Sequence, residues 1–209
     1  GEELMNMNTH IVGGGLGVIV LLTCVVRAAL NQDYWGIVSC TIYGTTFITM
    51  FTISSVYHGL KPGMSKKVMQ VIDHCTIYFL ISGTYTPVLL SALRPMYPAL
   101  GWWLFGFEWA LAVLATVLTA IDLKKYSVFS MICYIGMGWA IIPFARQTIR
   151  VLSVPGFVLL LLGGIAYIGR MHACNVAFAI QVYRHLLFNG AQAIGVGYAG
   201  LRIPGAQSR

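Results

Sequence analysis

Charge is what this sequence has least of. Asp and Glu together number 6 in 209 residues, and charged residues of both signs make up 9%. A soluble domain carries about 25%. Long apolar runs with so little charge exclude an ordinary soluble fold and place the chain in a membrane. Alternating segments of about ten residues are also absent, which excludes an outer-membrane barrel. The five cysteines, Cys24, Cys40, Cys75, Cys133 and Cys174, include no CxxC pair. An odd number scattered through apolar stretches reads as small buried side chains, not a disulfide framework. The opening GEELMNMNTH has no basic stretch ahead of an apolar run, so it is not expected to be a signal peptide.

Apolar residues are abundant: 58% of the chain is hydrophobic and the mean hydropathy is +0.78. The expected fold is all-α, a polytopic integral membrane protein built as one seven-transmembrane-helix domain over residues 1–209. The spans are read at about 10–30, 34–56, 69–90, 99–121, 127–144, 151–168 and 172–200, each near the ~20 residues needed to cross. KPGMSKK, SALRPMYP, IDLKKYS and RQTIR are read as connections. Pro87 and Pro143 are expected to kink or end helices, and Pro155 to sit in the first turn of the sixth span.

The net charge of +7 does not point to nucleic acid, because the basic residues fall between the spans and form no stripe. They read as topology signals facing anionic lipid. All five lysines lie in two connections: Lys61, Lys66 and Lys67 after the second span, Lys124 and Lys125 after the fourth. Positive charge marks the cytoplasmic side. The N-terminus is therefore expected in the cytoplasm, although Arg146 and Arg150 fall on the opposite side.

Polar residues inside so apolar a chain need partners or ligands, because burying them unpaired costs several kcal/mol. SSVYH closes the second span and places Ser54 and His58 four apart, on one helical face. DHCTIYFLISGTYTP opens the third span, from which Asp73 can approach them. A zinc site needs three or four N, O or S donors. The further candidates are His172 and His185, which lie about 20 Å apart along one straight helix. They therefore compete for one position, and the residues leave the choice open. His74 points about 100° away from Asp73 and reads as structural, as do His10 and Cys75. Glu108 lies within the fourth span among tryptophans, where a hydrogen bond across helices is expected.

The blocks GEE…N..TH, S-x-x-Y-H and D-H-x-x-I-Y-x-L-I-x-G-T-Y-T-P together resemble bacterial haemolysin III-like membrane proteins. These belong to the superfamily of progestin and adiponectin receptors. The resemblance implies seven spans in the bacterial inner (plasma) membrane and a cytoplasmic-side Zn2+. It implies His58 as a zinc ligand, Asp73 as the partner of a zinc-activated water, and Ser54 as an accessory polar group. Two histidines spaced i,i+4 in the last span would complete the metal site. Here the pattern departs: His172 opens HACNV and His185 opens HLLFN, and neither has a second His. The implied activity is zinc-dependent hydrolysis of an acyl-chain, ceramide-like amide in membrane-lipid homeostasis. A receptor or lipid sensor with a structural or vestigial metal site is the alternative. A transporter is less favoured, because no internal repeat is visible.

Overall fold

The computed structural model describes the backbone of residues 2–172 and the side chains of residues 3–162 apart from residue 159. Among the described residues the chain is helical, with no strand. Helix α1 (Glu2–Leu30) is followed by α2 (Tyr34–Gly59) and α3 (Met64–Pro87). α3 passes without a loop into a π-helical segment (Val88–Leu93) and a last turn, α4 (Arg94–Met96). α5 (Pro98–Ile121), α6 (Ser127–Trp139), a 3-10 turn (Ile142–Phe144) and α7 (Ala145–His172) complete the described chain. Five of the resulting helical stretches are long and apolar enough to cross a membrane.

Sequential helices pack as antiparallel neighbours, with α2 between α1 and α3, and α3 against α5. α3 is the centre. From Tyr78 to Leu93 most of its side chains are buried among Leu104, Ala112, Ala115, Tyr134 and Met137. α1 lies outermost and exposes Ile11, Val12, Ile19, Leu22 and Val26, as a lipid-facing stripe would. Its inner face approaches α2 closely because Gly13 and Gly17 leave room for the rings of Phe51 and Phe47, which a Cβ at either glycine would overlap. Small residues at helix crossings let backbones approach in this way.

The α1–α2 turn is fixed by hydrogen bonds. Gln32 N–H donates to Ala29 O and Asp33 N–H to Ala28 O, each at 3.0 Å, the pairing of a Schellman C-cap. Gln32 is at φ 53°, where a side chain strains the backbone and glycine does not. Asp33 then caps α2 by accepting from Gly36 N–H at 2.9 Å. Gln32→Gly is expected to stabilise the fold by about 0.5–1 kcal/mol, read as a higher Tm in detergent micelles. An unchanged or lower Tm would refute the cap assignment.

Three boundaries differ from the sequence reading. The third span does not stop near residue 90. Pro87 has no N–H to donate, and the helix widens into π turns instead of ending. Arg94, expected in a connection, donates Nε–H to Leu90 O at 3.0 Å and stacks 4.3 Å above the Trp35 ring. RQTIR is also helical, as the first turns of α7. The chain instead breaks at residues 140–144 and again at Ser153, where φ is 65° and ψ 168°. Pro155 follows that break at a restarting helix, in the first-turn position expected of it. The seventh span of the sequence reading lies outside the described residues apart from its first position.

Because the helices alternate in direction, one end of the bundle collects the start of α1, the end of α2, the start of α3, the end of α5 and the start of α6. All five lysines are at that end.

Candidate functional site

His58 occupies the last turn of α2, where the polar end of the helix meets the five-lysine end of the bundle. Its Nδ1 lies 2.8 Å from Glu3 Oε2, on the first turn of α1. The other carboxylate oxygen, Glu3 Oε1, accepts from Lys66 Nζ at 2.9 Å. Three helices are therefore tied through one carboxylate. A carboxylate in this geometry accepts, so Nδ1 of His58 carries a hydrogen; in the neutral ring that leaves the lone pair on Nε2.

The imidazole is also bracketed by rings. Tyr57 lies 4.9 Å away and His10 5.5 Å away, centroid to centroid. His10 is buried against Phe51 and donates Nδ1–H to Asn6 O at 2.6 Å. These contacts are those of a structural residue between α1 and α2. Lys66 Nζ stands 5.2 Å over the Tyr57 ring.

Ser54 is one turn deeper on α2 and buried. Asp73 is half-buried on α3. Glu3, Lys66 and Asp73 all lie close enough to the Tyr57 hydroxyl to act on it electrostatically. Thr76 Oγ1 donates to Asp73 O at 2.7 Å and fixes that turn. His74 is turned away, as expected. Its Nδ1 donates to Gln70 O at 2.7 Å, and its own carbonyl accepts from the Tyr134 hydroxyl at 3.0 Å. Cys75 is buried and reaches Thr116 O at 3.8 Å.

Below this end, α3, α5 and α6 are joined by a hydroxyl chain. Tyr78 Oη and Thr119 Oγ1 are 2.9 Å apart, and Thr119 Oγ1 and Ser130 Oγ 3.1 Å. Tyr78 and Tyr134 stack with centroids 4.5 Å apart. Deeper still, Glu108 is 1% exposed. The expected bond from its side chain across helices is not found among the described residues. Its backbone carbonyl accepts from Ser82 Oγ at 3.0 Å, but neither carboxyl oxygen has a hydrogen-bond partner among the described residues.

Sequence reasoning brought out His58, Asp73 and Ser54 but missed Glu3, Lys66 and Tyr57 as their surroundings. The available signal was the pair Glu2 and Glu3 in the first turn of a helix otherwise without an acid. The donor chemistry suits zinc in part: an imidazole held through Nδ1 by a carboxylate is the usual state of a zinc-bound His. Among the described residues, however, no group of three His, Cys, Asp or Glu side chains could hold a metal ion. Of the two further ligand candidates, His172 ends the described helix without a described side chain, and His185 lies outside the described residues.

Comparison with known proteins agrees with the blocks that carry this end of the bundle. The family model described as haemolysin-III related matches residues 1–181. Hemolysin-3 of Bacillus cereus is 34% identical over 166 residues, which cover 79% of this chain and 74% of that protein. The Hemolysin-3 homolog of Bacillus subtilis (strain 168) is 36% identical over 166 residues, 79% of this chain and 76% of its own. The human monocyte to macrophage differentiation factor is 27% identical over 151 residues, 66% of this chain and 58% of that protein. No solved structure matches.

Proposed function

The chain belongs to the haemolysin-III-related family, and on that premise we propose that it is a zinc-dependent hydrolase of lipid amides. The observation that carries this reading is the His58 imidazole. Its Nδ1 is committed to Glu3 at 2.8 Å, which leaves Nε2 as the metal-binding nitrogen. His58 and one of His172 and His185 would hold the ion; the rest of the donor set is unassigned. Zinc, when bound, supplies Lewis-acid activation of water and of the amide carbonyl. Asp73 orients the attacking water, accepts its proton and returns it to the departing amine nitrogen. The new bond joins water oxygen to the carbonyl carbon, the C–N bond breaks, and a fatty acid and an amine result. Ser54 adds a buried hydroxyl beside the reacting groups.

A substrate with long acyl chains, of the ceramide-like class, suits a site at the end of helices whose outer faces meet lipid. The membrane would be the bacterial plasma membrane, with the N-terminus cytoplasmic. The five lysines gathered at the His58 end support that side. Maintenance of membrane-lipid composition is the corresponding role.

One sequence feature favours a second reading, a lipid sensor or receptor with a structural or vestigial metal site. Neither His172 nor His185 is followed by a second His four residues on, and asparagine, which follows His185 at that spacing, is a weaker zinc ligand than imidazole. Metal stoichiometry on purified protein, with His58→Ala, His172→Ala and His185→Ala beside the parent, tests the metal. About one zinc per chain is expected, lost in His58→Ala and in one of the other two. A parent that takes up no zinc after reconstitution would end the hydrolase reading. Zinc uptake with lipid binding but no turnover would favour the sensor.

A further inference from the structure

We infer that Glu3 is a positioning residue for His58: it selects the imidazole tautomer that leaves Nε2 for a metal, and Lys66 holds Glu3 in place. The inference rests on the zinc reading above for its metal consequence, but the hydrogen on Nδ1, and with it the tautomer of the neutral ring, follows from the Glu3 contact. Each oxygen of the Glu3 carboxylate has its own partner, His58 Nδ1 at 2.8 Å and Lys66 Nζ at 2.9 Å. The two bonds fix the carboxylate in orientation as well as in place. Without it, an imidazole at a helix end is free to carry its hydrogen on either nitrogen and to turn about its side-chain bonds. Tyr57 and His10 restrict the ring from two sides, and Glu3 removes the remaining freedom.

A purely structural ion pair is the competing account, and exposure separates the two. The Glu3 side chain is 55% exposed and that of His58 18%. Exposed pairs of this kind contribute little to stability. Loss of Glu3 should therefore leave the fold almost unchanged. Loss of a carboxylate behind a metal-bound His instead weakens metal binding by about 10–100-fold. The sequence gives the pair no other evident purpose, since α1 and α2 are already packed through Gly13, Gly17, Phe47 and Phe51.

The test uses the full chain in detergent micelles and zinc alone as the probe, in competition with a chromophoric chelator. Glu3→Gln is expected to weaken zinc by about 10–100-fold with the Tm nearly unchanged. Glu3→Asp should recover part of the affinity. Lys66→Met should weaken zinc less than Glu3→Gln. A Glu3→Gln protein that binds zinc as the parent does, while His58→Ala has lost it, overturns the inference and leaves the zinc reading intact. A second measurement needs no metal: NMR of isotope-labelled imidazole nitrogens in the metal-free protein. The neutral His58 ring should carry its hydrogen on Nδ1 in the parent and lose that preference in Glu3→Met, which has no oxygen to accept it. The same tautomer distribution in both proteins also overturns the inference. If the parent binds no zinc yet shows the tautomer switch, the zinc reading fails and the positioning role of Glu3 stands.

Discussion

Asp73→Asn is expected to lower lipid-amide turnover by about a hundredfold to ten-thousandfold while zinc content stays that of the parent. The substitution keeps size and shape but removes the group that accepts the water's proton. The bond from Thr76 Oγ1 to the Asp73 backbone carbonyl is retained in asparagine. Steady-state hydrolysis of an amide lipid in mixed micelles reads the rate, and metal analysis of the same preparation reads the site. Turnover equal to the parent's would remove Asp73 from the chemistry. Turnover and zinc lost together would make Asp73 a ligand instead of the proton acceptor. Ser54→Ala should act in the same direction but less, because a hydroxyl next to reacting groups positions them and does not itself take the proton.

The difference between what could be read from the sequence and what could not follows the range of the interactions. Helix identity was legible because apolar runs are local. α2 and α5 end within a few residues of their expected limits. The errors fall at SALRPMYP and RQTIR, which were read as connections and are helical in whole or in part. Pro87 is accommodated by widening the helix into π turns, and Pro95 lies in the last turn of that same continuous helix. Arg94 and Arg146 looked like loop charges. Arg94 is instead spent on an aromatic face, at 4.3 Å from Trp35, a pairing between helices that no local pattern reveals. The same limit governed the site. His58 stood out through the motif that contains it. Its partner Glu3 is 55 positions away, and only the packing of α1 on α2 brings the two together. The packing of α3 beside α2 was legible because the two are joined by a short connection, which makes them antiparallel neighbours.

Glu108→Met is expected to raise stability by about 1–3 kcal/mol, read as a higher Tm in micelles, while Glu108→Gln gives no such gain. Glu108 is 1% exposed, and both carboxyl oxygens lack a hydrogen-bond partner among the described residues. Its main-chain tie to Ser82 survives either substitution, since it uses the backbone carbonyl. Met fills a similar volume with an unbranched, adaptable chain and carries no group that needs a partner. Gln keeps the volume but still buries polar atoms. The comparison therefore separates packing from polarity at one position. An acid that costs stability in the middle of a span is retained for a reason other than the fold, so a rise with Met would mark Glu108 as a residue kept for function. A fall in Tm with Met would mean that its carboxyl has a stabilising partner outside the described side chains. Either result decides what Glu108 is for, because a carboxyl with a partner stabilises the place it occupies and a carboxyl without one does not.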